Sequence, residues 1–241
     1  VTIGCFLSTG SAVAAEVIGQ AGFEFVIIDL EHGLGSEQDV LGQLMALKGT
    51  ATRPYVRVES HERQRVHHML DLGAEGIMFP RVNSAEEARA CVAAMRYPPE
   101  GVRGVATLVR ATQYGTRFNE YRKAARTTIL QIETPEAVQN VDAIAAVDGA
   151  DVLFVGPMDL SVGMGIYREF DHPDFVAALH KTVAALRRHG RIAGILLPAA
   201  SEKAKYRDYG FEFLACGTDL SMLAAGARSI LDLLRSESPP H

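Results

Sequence analysis

Glu133 and Asp159 are the pair from which this sequence can be read. Each follows an apolar run of the kind that forms a buried strand, Thr127–Ile132 and Asp151–Val155. The segment between them, Pro135–Val147, carries Ala137, Val138, Val141, Ile144 and Ala145 at helical spacing. Strand, helix, strand is a parallel crossover, and its right-handed form sets the two carboxylates side by side at the C-terminal ends of adjacent strands. Gly156-Pro157 turns the second strand into Asp159 and a new helix. Two neighbouring carboxylates with no lysine beside them suit a hard divalent cation, which takes oxygen ligands and keeps positions open for water or substrate oxygens. Mg²⁺, Mn²⁺ and Co²⁺ all fit, because carboxylate donors alone do not set the choice. The plain alternative makes Glu133 a surface carboxylate and Asp159 a helix N-cap. Their position behind apolar runs weighs against it, since a buried carboxylate needs a cation or hydrogen bonds to compensate.

Other chemistry-bearing residues gather at strand ends. Strand two ends in Asp29-Leu30-Glu31-His32, strand three in Arg57, strand four in Pro80-Arg81 and strand five in Gln131-Ile132-Glu133. Strand six runs into Gly156-Pro157-Met158-Asp159, while strands one, seven and eight end in milder residues. Arg57 offers a guanidinium fork for a carboxylate or a developing enolate oxygen; its alternative is a surface arginine paired with Glu59. Asp29 is placed to orient the His32 imidazole and raise its basicity, as a general acid or base requires; the alternative is a polar loop histidine. His67 and His68 read as a solvated helix face, and His61, His172, His180 and His189 show no ligand spacing. Lys48, Lys123, Lys181, Lys203 and Lys205 all fall in helices or loops, so none supplies the desolvated amine that a Schiff base needs. A metal is then the electron sink for any chemistry on an oxo acid. Glu31 and Arg81 carry no assigned role.

The elements that must position these groups alternate along the whole chain. Strands are expected at Thr2–Leu7, Phe25–Leu30, Pro54–Val58, Gly76–Pro80, Thr127–Ile132, Asp151–Val155, Ile192–Leu197 and Phe211–Cys216. Helices are expected at Ala12–Ala21, Glu37–Lys48, Glu62–Leu72, Ala85–Arg96, Pro135–Val147, Pro173–His189, Ser201–Tyr209 and Asp219–Leu234. Ser11, Ser84 and Ser201 are N-cap candidates, and Gly22, Gly73, Gly190 and Gly210 are C-terminal stops. Eight such repeats across residues 1–241 describe a single (β/α)₈ barrel domain. A doubly wound open sheet is the competing architecture, but no GxGxxG follows the first strand. One connection, Arg96 to Arg126, is far longer than the rest; it holds two prolines, several arginines and a short helical piece at Phe118–Ala125.

A net charge of −5 and a pI near 5.9 argue against nucleic acid or an anionic membrane as partner. Three cysteines without CxxC spacing suit reduced thiols in the cytoplasm. No signal peptide is expected from the residues given, and none of their apolar runs reaches the length of a membrane span. The chain opens directly in a strand, so further native residues are expected ahead of Val1, and Ser236–His241 is expected to fray.

Asp29-x-Glu31-His32, Arg57, the run Arg96-Tyr97-Pro98-Pro99-x-Gly101-x-Arg103-Gly104, Gln131-Ile132-Glu133, and Gly156-Pro157-x-Asp159-Leu160-Ser161 followed by Met164-Gly165 occur in this order. With them the chain resembles the metal-dependent, class II pyruvate aldolases of the 4-hydroxy-2-oxoheptanedioate aldolase type, the HpcH/HpaI group, over nearly its whole length. The resemblance implies reversible retro-aldol cleavage of a 4-hydroxy-2-oxo acid to pyruvate and an aldehyde. It implies Glu133 and Asp159 as metal ligands, Arg57 on the keto or enolate oxygen, and His32 supported by Asp29 in proton transfer. Gln131 would position the shell of waters. Backbone N–H groups around Met158 and Asp159 would take the pyruvate carboxylate. The implied substrate-binding set is Arg57, Gln131, Gly156, Pro157, Met158, Asp159 and Leu196. It further implies a homo-oligomer, a hexamer built as a trimer of dimers that exchange the last barrel helix, Asp219–Leu234. The chain departs from the type at Leu30, where glycine is more usual, at Met158, where a small residue is, at Arg81, and after Gly104, where Val105–Leu108 lacks a further glycine. These positions surround the pocket mouth, so Met158 is expected to narrow it.

Related enolate-forming barrels are the nearest competing reading: citramalyl- or malyl-CoA lyases and a macrophomate synthase-like Diels–Alder enzyme. A CoA user calls for a basic or adenine-binding extension, and only the arginines of 103–126 qualify. A barrel without catalysis would show a broken carboxylate pair or a missing arginine. A phosphate-binding isomerase would show Gly-rich loops where Leu196-Leu197-Pro198 and Cys216-Gly217-Thr218 stand.

Overall fold

Eight parallel strands close on themselves in sequence order, each paired to the next and the eighth to the first. The fold is a (β/α)₈ barrel, seen in a computed structural model that describes residues 1–236. In order the elements are β1 (Thr2–Leu7), α1 (Ala12–Gln20), β2 (Phe25–Asp29), α2 (Glu37–Ala46), β3 (Arg53–Arg57), α3 (Arg63–Leu72), β4 (Gly76–Phe79), α4 (Ala85–Met95) and α5 (Phe118–Lys123). There follow β5 (Thr127–Ile132), α6 (Pro135–Ala145), β6 (Val152–Val155), α7 (Pro157–Gly163), α8 (Pro173–Arg188), β7 (Ile192–Leu197), α9 (Lys203–Tyr209), β8 (Phe213–Thr218) and α10 (Asp219–Ser236). The fraying expected of the tail falls, past Ser236, outside the described residues.

Most expected elements sit within a residue or two of their observed bounds. Ser11 and Ser84 cap as expected, accepting from the N–H of Ala14 and Glu87. Ser201 does not: it lies inside a 3-10 turn, Ala200–Glu202, and α9 begins after it with Glu202 at the cap position. The expected strand at Phe211–Cys216 is shifted to Phe213–Thr218, because Phe211 N–H closes the end of α9 on the Tyr206 carbonyl instead of joining the sheet.

Two apolar layers hold the barrel. The larger lies between sheet and helices; the smaller fills the interior with Phe6, Phe25, Ile27, Tyr55, Met78, Ile129, Val152, Phe154, Phe213 and Ala215. Phe25 and Phe213 stack with centroids 3.8 Å apart, and Gly4 is required beside them because a Cβ there would collide with the Phe25 ring. Side chains alternate along a strand, so the inward row of each strand continues upward from this core. Phe25 and Ile27 lead to Asp29, Tyr55 leads to Arg57, Ile129 leads to Gln131 and then Glu133, and Val152 and Phe154 lead to Gly156. The polar residues at the mouth are thus the top layer of the same inward rows whose lower layers are apolar.

The long connection between α4 and β5 is ordered against the opposite end of the barrel. Arg110 donates to the carbonyls of Leu72 (2.6 Å) and Leu44 (3.1 Å), and Arg103 pairs with Asp71 at 2.8 Å. At the other extreme α10 leaves Leu220, Leu223, Ile230, Leu231, Leu233 and Leu234 exposed, with only Asp219 buried. Cys5, Cys91 and Cys216 are free thiols. Among the described residues no helix is long and apolar enough to cross a membrane.

Candidate functional site

At the C-terminal mouth of the barrel a cleft of about 230 Å³ is lined by Phe6, Ser8, Asp29, His32, Arg57, Gln131, Phe154, Gly156, Pro157, Met158, Asp159, Leu196 and Thr218. All three proposed catalytic residues, Asp159 and the remaining expected substrate contacts line it; Glu133 sits just behind, 4% exposed.

Register explains how Glu133 reaches the start of α7. Ile132 pairs with Val155, so Glu133 stands beside Gly156. A Cβ on Gly156 would come within 2.6 Å of Glu133 Oε2, so only glycine lets the turn lie against that carboxylate. Glu133 accepts hydrogen bonds from the backbone N–H of Arg81 at 2.7 Å and from Gln131 Nε2 at 2.8 Å. Arg81 holds a left-handed backbone, φ 51°, which aims that N–H at Glu133. Asp159 occupies the third position of α7, whose N-cap is Gly156 and whose first residue is Pro157. It is exposed to the cleft and is not the cap.

Burial pushes the Glu133 carboxyl up to about 7, and the negative charges of Asp159 and Glu31 push the same way. The Arg81 hydrogen bond and the Arg57 charge oppose the rise without cancelling it. Carboxylates crowded in this way are stabilised together by a dication, which reverses the sign of the local field. Glu133 and Asp159 therefore fit as ligands of a hard cation with several positions left for water or substrate. Among the described residues no group of three or more His, Cys, Asp or Glu side chains forms a closed metal site.

Arg57 is 12% exposed and more fully engaged than its sequence position implies. Its Nε and Nη2 bind Asp29 Oδ1 and Oδ2 at 2.9 and 2.8 Å, and its Nη1 lies 3.0 Å from Glu31 Oε2 and 3.5 Å from Gln131 Oε1. The guanidinium also sits over the Phe6 ring, 5.0 Å from its centroid. Two corrections follow. The fork closes on Asp29 rather than standing free for substrate, and Nη1 is shared between Glu31 and Gln131, the latter by a long contact of 3.5 Å. Asp29 does not orient the His32 ring; its Oδ1 accepts the backbone N–H groups of Glu31 and His32, at 3.1 and 3.2 Å, and anchors Arg57. The His32 imidazole is 69% exposed, with Glu31 Oε1 at 3.9 Å from Nε2. The alternative partner for Arg57 is also excluded, since Glu59 pairs with Arg65.

Sequence reasoning left Glu31 without a role and passed over the ends of strands one and eight as mild, yet Ser8 and Thr218 line the cleft, with the Thr218 hydroxyl accepting the Ser221 N–H at 2.9 Å. Their loops are tied together by Asp219, which accepts the N–H groups of Ser8 (2.7 Å), Thr9 (3.3 Å) and Leu220 (2.8 Å) and the Thr9 hydroxyl. The available signal was an acidic residue opening the last helix directly after a strand. Phe6, Phe154 and Leu196 supply the apolar wall, and Met158 stands half-exposed at the rim.

This constellation has counterparts among known proteins. The sequence profile described as HpcH/HpaI aldolase/citrate lyase matches residues 2–225. A 5-keto-4-deoxy-D-glucarate aldolase of Salmonella arizonae is 40% identical over 237 residues, covering 98% of this chain and 93% of that protein. The crystal structure of an HpcH/HpaI aldolase/citrate lyase family protein from Burkholderia cenocepacia J2315 superposes with a TM-score of 0.92 at 35% identity, over 97% of this chain and 94% of that one. An HpcH/HpaI aldolase from Desulfitobacterium hafniense DCB-2 does so with a TM-score of 0.90 at 28% identity, over 99% and 93% of the two chains. Likeness that extends from the barrel through the full sequence settles the assignment: the chain belongs to the HpcH/HpaI aldolase/citrate lyase family.

Proposed function

We propose that this protein is a divalent-metal-dependent aldolase that reversibly cleaves a 4-hydroxy-2-oxo acid to pyruvate and an aldehyde. The observation that carries the reading is the placement of the buried Glu133 carboxyl against Gly156, at the turn that opens the helix carrying Asp159 at the end of an apolar barrel. Glu133 and Asp159 would hold the cation, and a bound dication stabilises the negative charge that gathers on the 2-oxo oxygen as the bond between carbons 3 and 4 opens.

The chain's own residues do the rest. Arg57, clamped by Asp29, donates from Nη1 to that same oxygen in exchange for its long contact to Gln131. The backbone N–H groups at the start of α7 have no partner inside the helix and receive the substrate carboxylate. Gln131 holds Glu133 in place through its amide. His32 takes the proton of the 4-hydroxyl in the cleavage direction and returns it to carbon 3, with Glu31 close enough to stabilise the imidazolium. Phe6, Phe154 and Leu196 keep the reacting carbons out of bulk water.

The name of the Salmonella relative points to a substrate class. Numbered from the carboxylate beside its ketone, a 5-keto-4-deoxy-glucarate is a 3-deoxy-2-oxo acid with a hydroxyl on carbon 4, the pattern a retro-aldol requires. We extend that class, hydroxylated sugar-acid derivatives, to this chain; Ser8 among the lining residues is a suitable polar partner for it. The basic connection that would serve a CoA user lies at the opposite end of the barrel, which removes its support for that reading. We further propose a cytoplasmic homo-oligomer, a hexamer as trimer of dimers, in which the exposed apolar face of α10 docks on a neighbouring copy; light scattering after size exclusion reads this directly.

Pyruvate release, assayed over a panel of 4-hydroxy-2-oxo acids with and without Mg²⁺, Mn²⁺ or Co²⁺, tests the reaction. Metal-dependent release from sugar-acid members is expected, and chelator is expected to silence it. Covalent trapping by borohydride in the presence of pyruvate would instead mark a lysine mechanism and overturn the proposal.

A further inference from the structure

At the end of the barrel opposite the mouth, the connection from α4 to β5 folds over the bases of β5 and β6 and encloses a cavity of about 420 Å³. Arg96, Arg103, Arg122 and Arg126 line it together with Glu100 and Asp151; Arg96 pairs with Asp148 at 2.9 Å and Arg103 with Asp71 at 2.8 Å, so among the described residues Arg122 and Arg126 are the two lining arginines without a carboxylate partner. Asp151 is already engaged, accepting the N–H of Thr128 at 2.9 Å.

The arginines are arranged rather than merely present. Arg103 is 3% exposed; its Nη2 donates to Asp71 (2.8 Å) and to the Tyr121 hydroxyl (2.9 Å). Its guanidinium lies between the rings of Tyr97 and Tyr121, at 4.7 and 5.1 Å from their centroids, which fixes its plane. Arg126 packs over Tyr121 at 4.2 Å and spends Nη1 on the carbonyls of Ala124 (3.2 Å) and Ala125 (2.9 Å), while Arg122 holds Asn119 by one long bond of 3.4 Å, so Nε and Nη2 of Arg126 and both Nη groups of Arg122 are donors to spare. Among the described residues five buried side-chain polar atoms lack any partner, and two of them, Arg103 Nε and Tyr97 Oη, belong to this cavity. Orphaned buried donors are costly, and a pair of them in one cationic cavity is the complement of a ligand that brings acceptor oxygens.

We propose that this cavity is a binding site for a small polyanion whose phosphate or carboxylate oxygens are taken by the arginine forks. A volume of this size suits a small metabolite, and planar guanidinium groups bind such oxygens in pairs. The site is separate from the catalytic mouth. It touches the bases of the two strands, at Thr128 and Asp151, whose upper ends carry Glu133 and lead to Asp159.

Calorimetric titration of the full chain at low ionic strength, with inorganic phosphate in one arm and succinate in the other, tests this and tells phosphate from carboxylate ligands. Saturable binding of at least one probe is expected, weakened roughly tenfold or more in the Arg122→Gln/Arg126→Gln double variant and unchanged in Arg57→Gln. Should the double variant fold poorly by circular dichroism, the exposed Arg122→Gln alone carries the comparison. Absence of saturation by either probe, binding retained in the variants, or loss confined to Arg57→Gln overturns the proposal. None of these results depends on the aldolase reading.

Discussion

The two ends of β5 and β6 are built from one strand pair and opposite charges. At the upper end, Asp159 and Glu31 both act by their charge on the buried Glu133, and Arg57 is held by Asp29 and Glu31. At the lower end, Arg96 and Arg103 are paired with Asp148 and Asp71, Arg103 also lies between two tyrosine rings, and Arg122 and Arg126 face the same cavity without a carboxylate partner. Between them the strands are apolar and buried. A rigid apolar middle lets each end carry an unbalanced field without either neutralising the other. The lesson concerns charge balance: the proposed cation would complete the acidic end, and the proposed anion would complete the end that holds Arg122 and Arg126.

Removing the acidic pair breaks this contrast most severely. Glu133→Ala or Asp159→Ala is expected to lower kcat by about a thousandfold or more while the fold survives, because neither side chain supports the core; full activity in either variant overturns the metal assignment. Gly156→Ala comes next. Its Cβ would stand 2.6 Å from Glu133 Oε2 and must displace that carboxylate, so metal affinity in a calorimetric titration should fall by roughly tenfold to a hundredfold. An unchanged affinity would show that Glu133 can relax freely.

A third measurement sharpens the contrast through pH. The folded Glu133 carboxyl sits near 7 against an ordinary value of 4.5, so the metal-free folded state holds its proton where the unfolded chain has lost it. Stability in chelator is therefore greatest below pH 4.5 as far as this group is concerned, and it declines as pH rises toward 7 by roughly 3 kcal/mol. Glu133→Gln should flatten that slope in denaturant unfolding, and an identical slope in variant and parent would refute it. The smallest effect belongs to the rim. Met158→Ala is expected to change turnover of long acceptor aldehydes relative to short ones by a few-fold, and an unchanged profile would show that Met158 does not gate the mouth.

Much of this was legible from periodicity. Apolar runs marked all eight strands to within two residues, because a barrel strand buried on both faces reads as a continuous hydrophobic run; β8 is the least well bounded, shifted by two residues at each end. Glu133 and Asp159 were legible because a crossover of known hand leaves them nowhere to be but adjacent. The partner of Asp29 was not. Sequence proximity favoured His32, whereas the pairing of Asp29 with Arg57 across β2 and β3 delivers a guanidinium to the carboxylate first. Ser201 failed as a cap for a similar reason: a tight 3-10 turn carried the chain past it before α9 began.

The order of apolar and polar residues determined by itself that this chain forms a barrel and that acids and an arginine collect at one end of it, since side-chain alternation and strand connection are local rules. Which acid clamps which base was decided only when neighbouring strands were set in register, because a hydrogen bond answers to distance in space and not along the chain. The basic cavity at the far end belongs to the same category. Its arginines stand apart in sequence, and only the folding of the long connection over the strand bases brings them to one place.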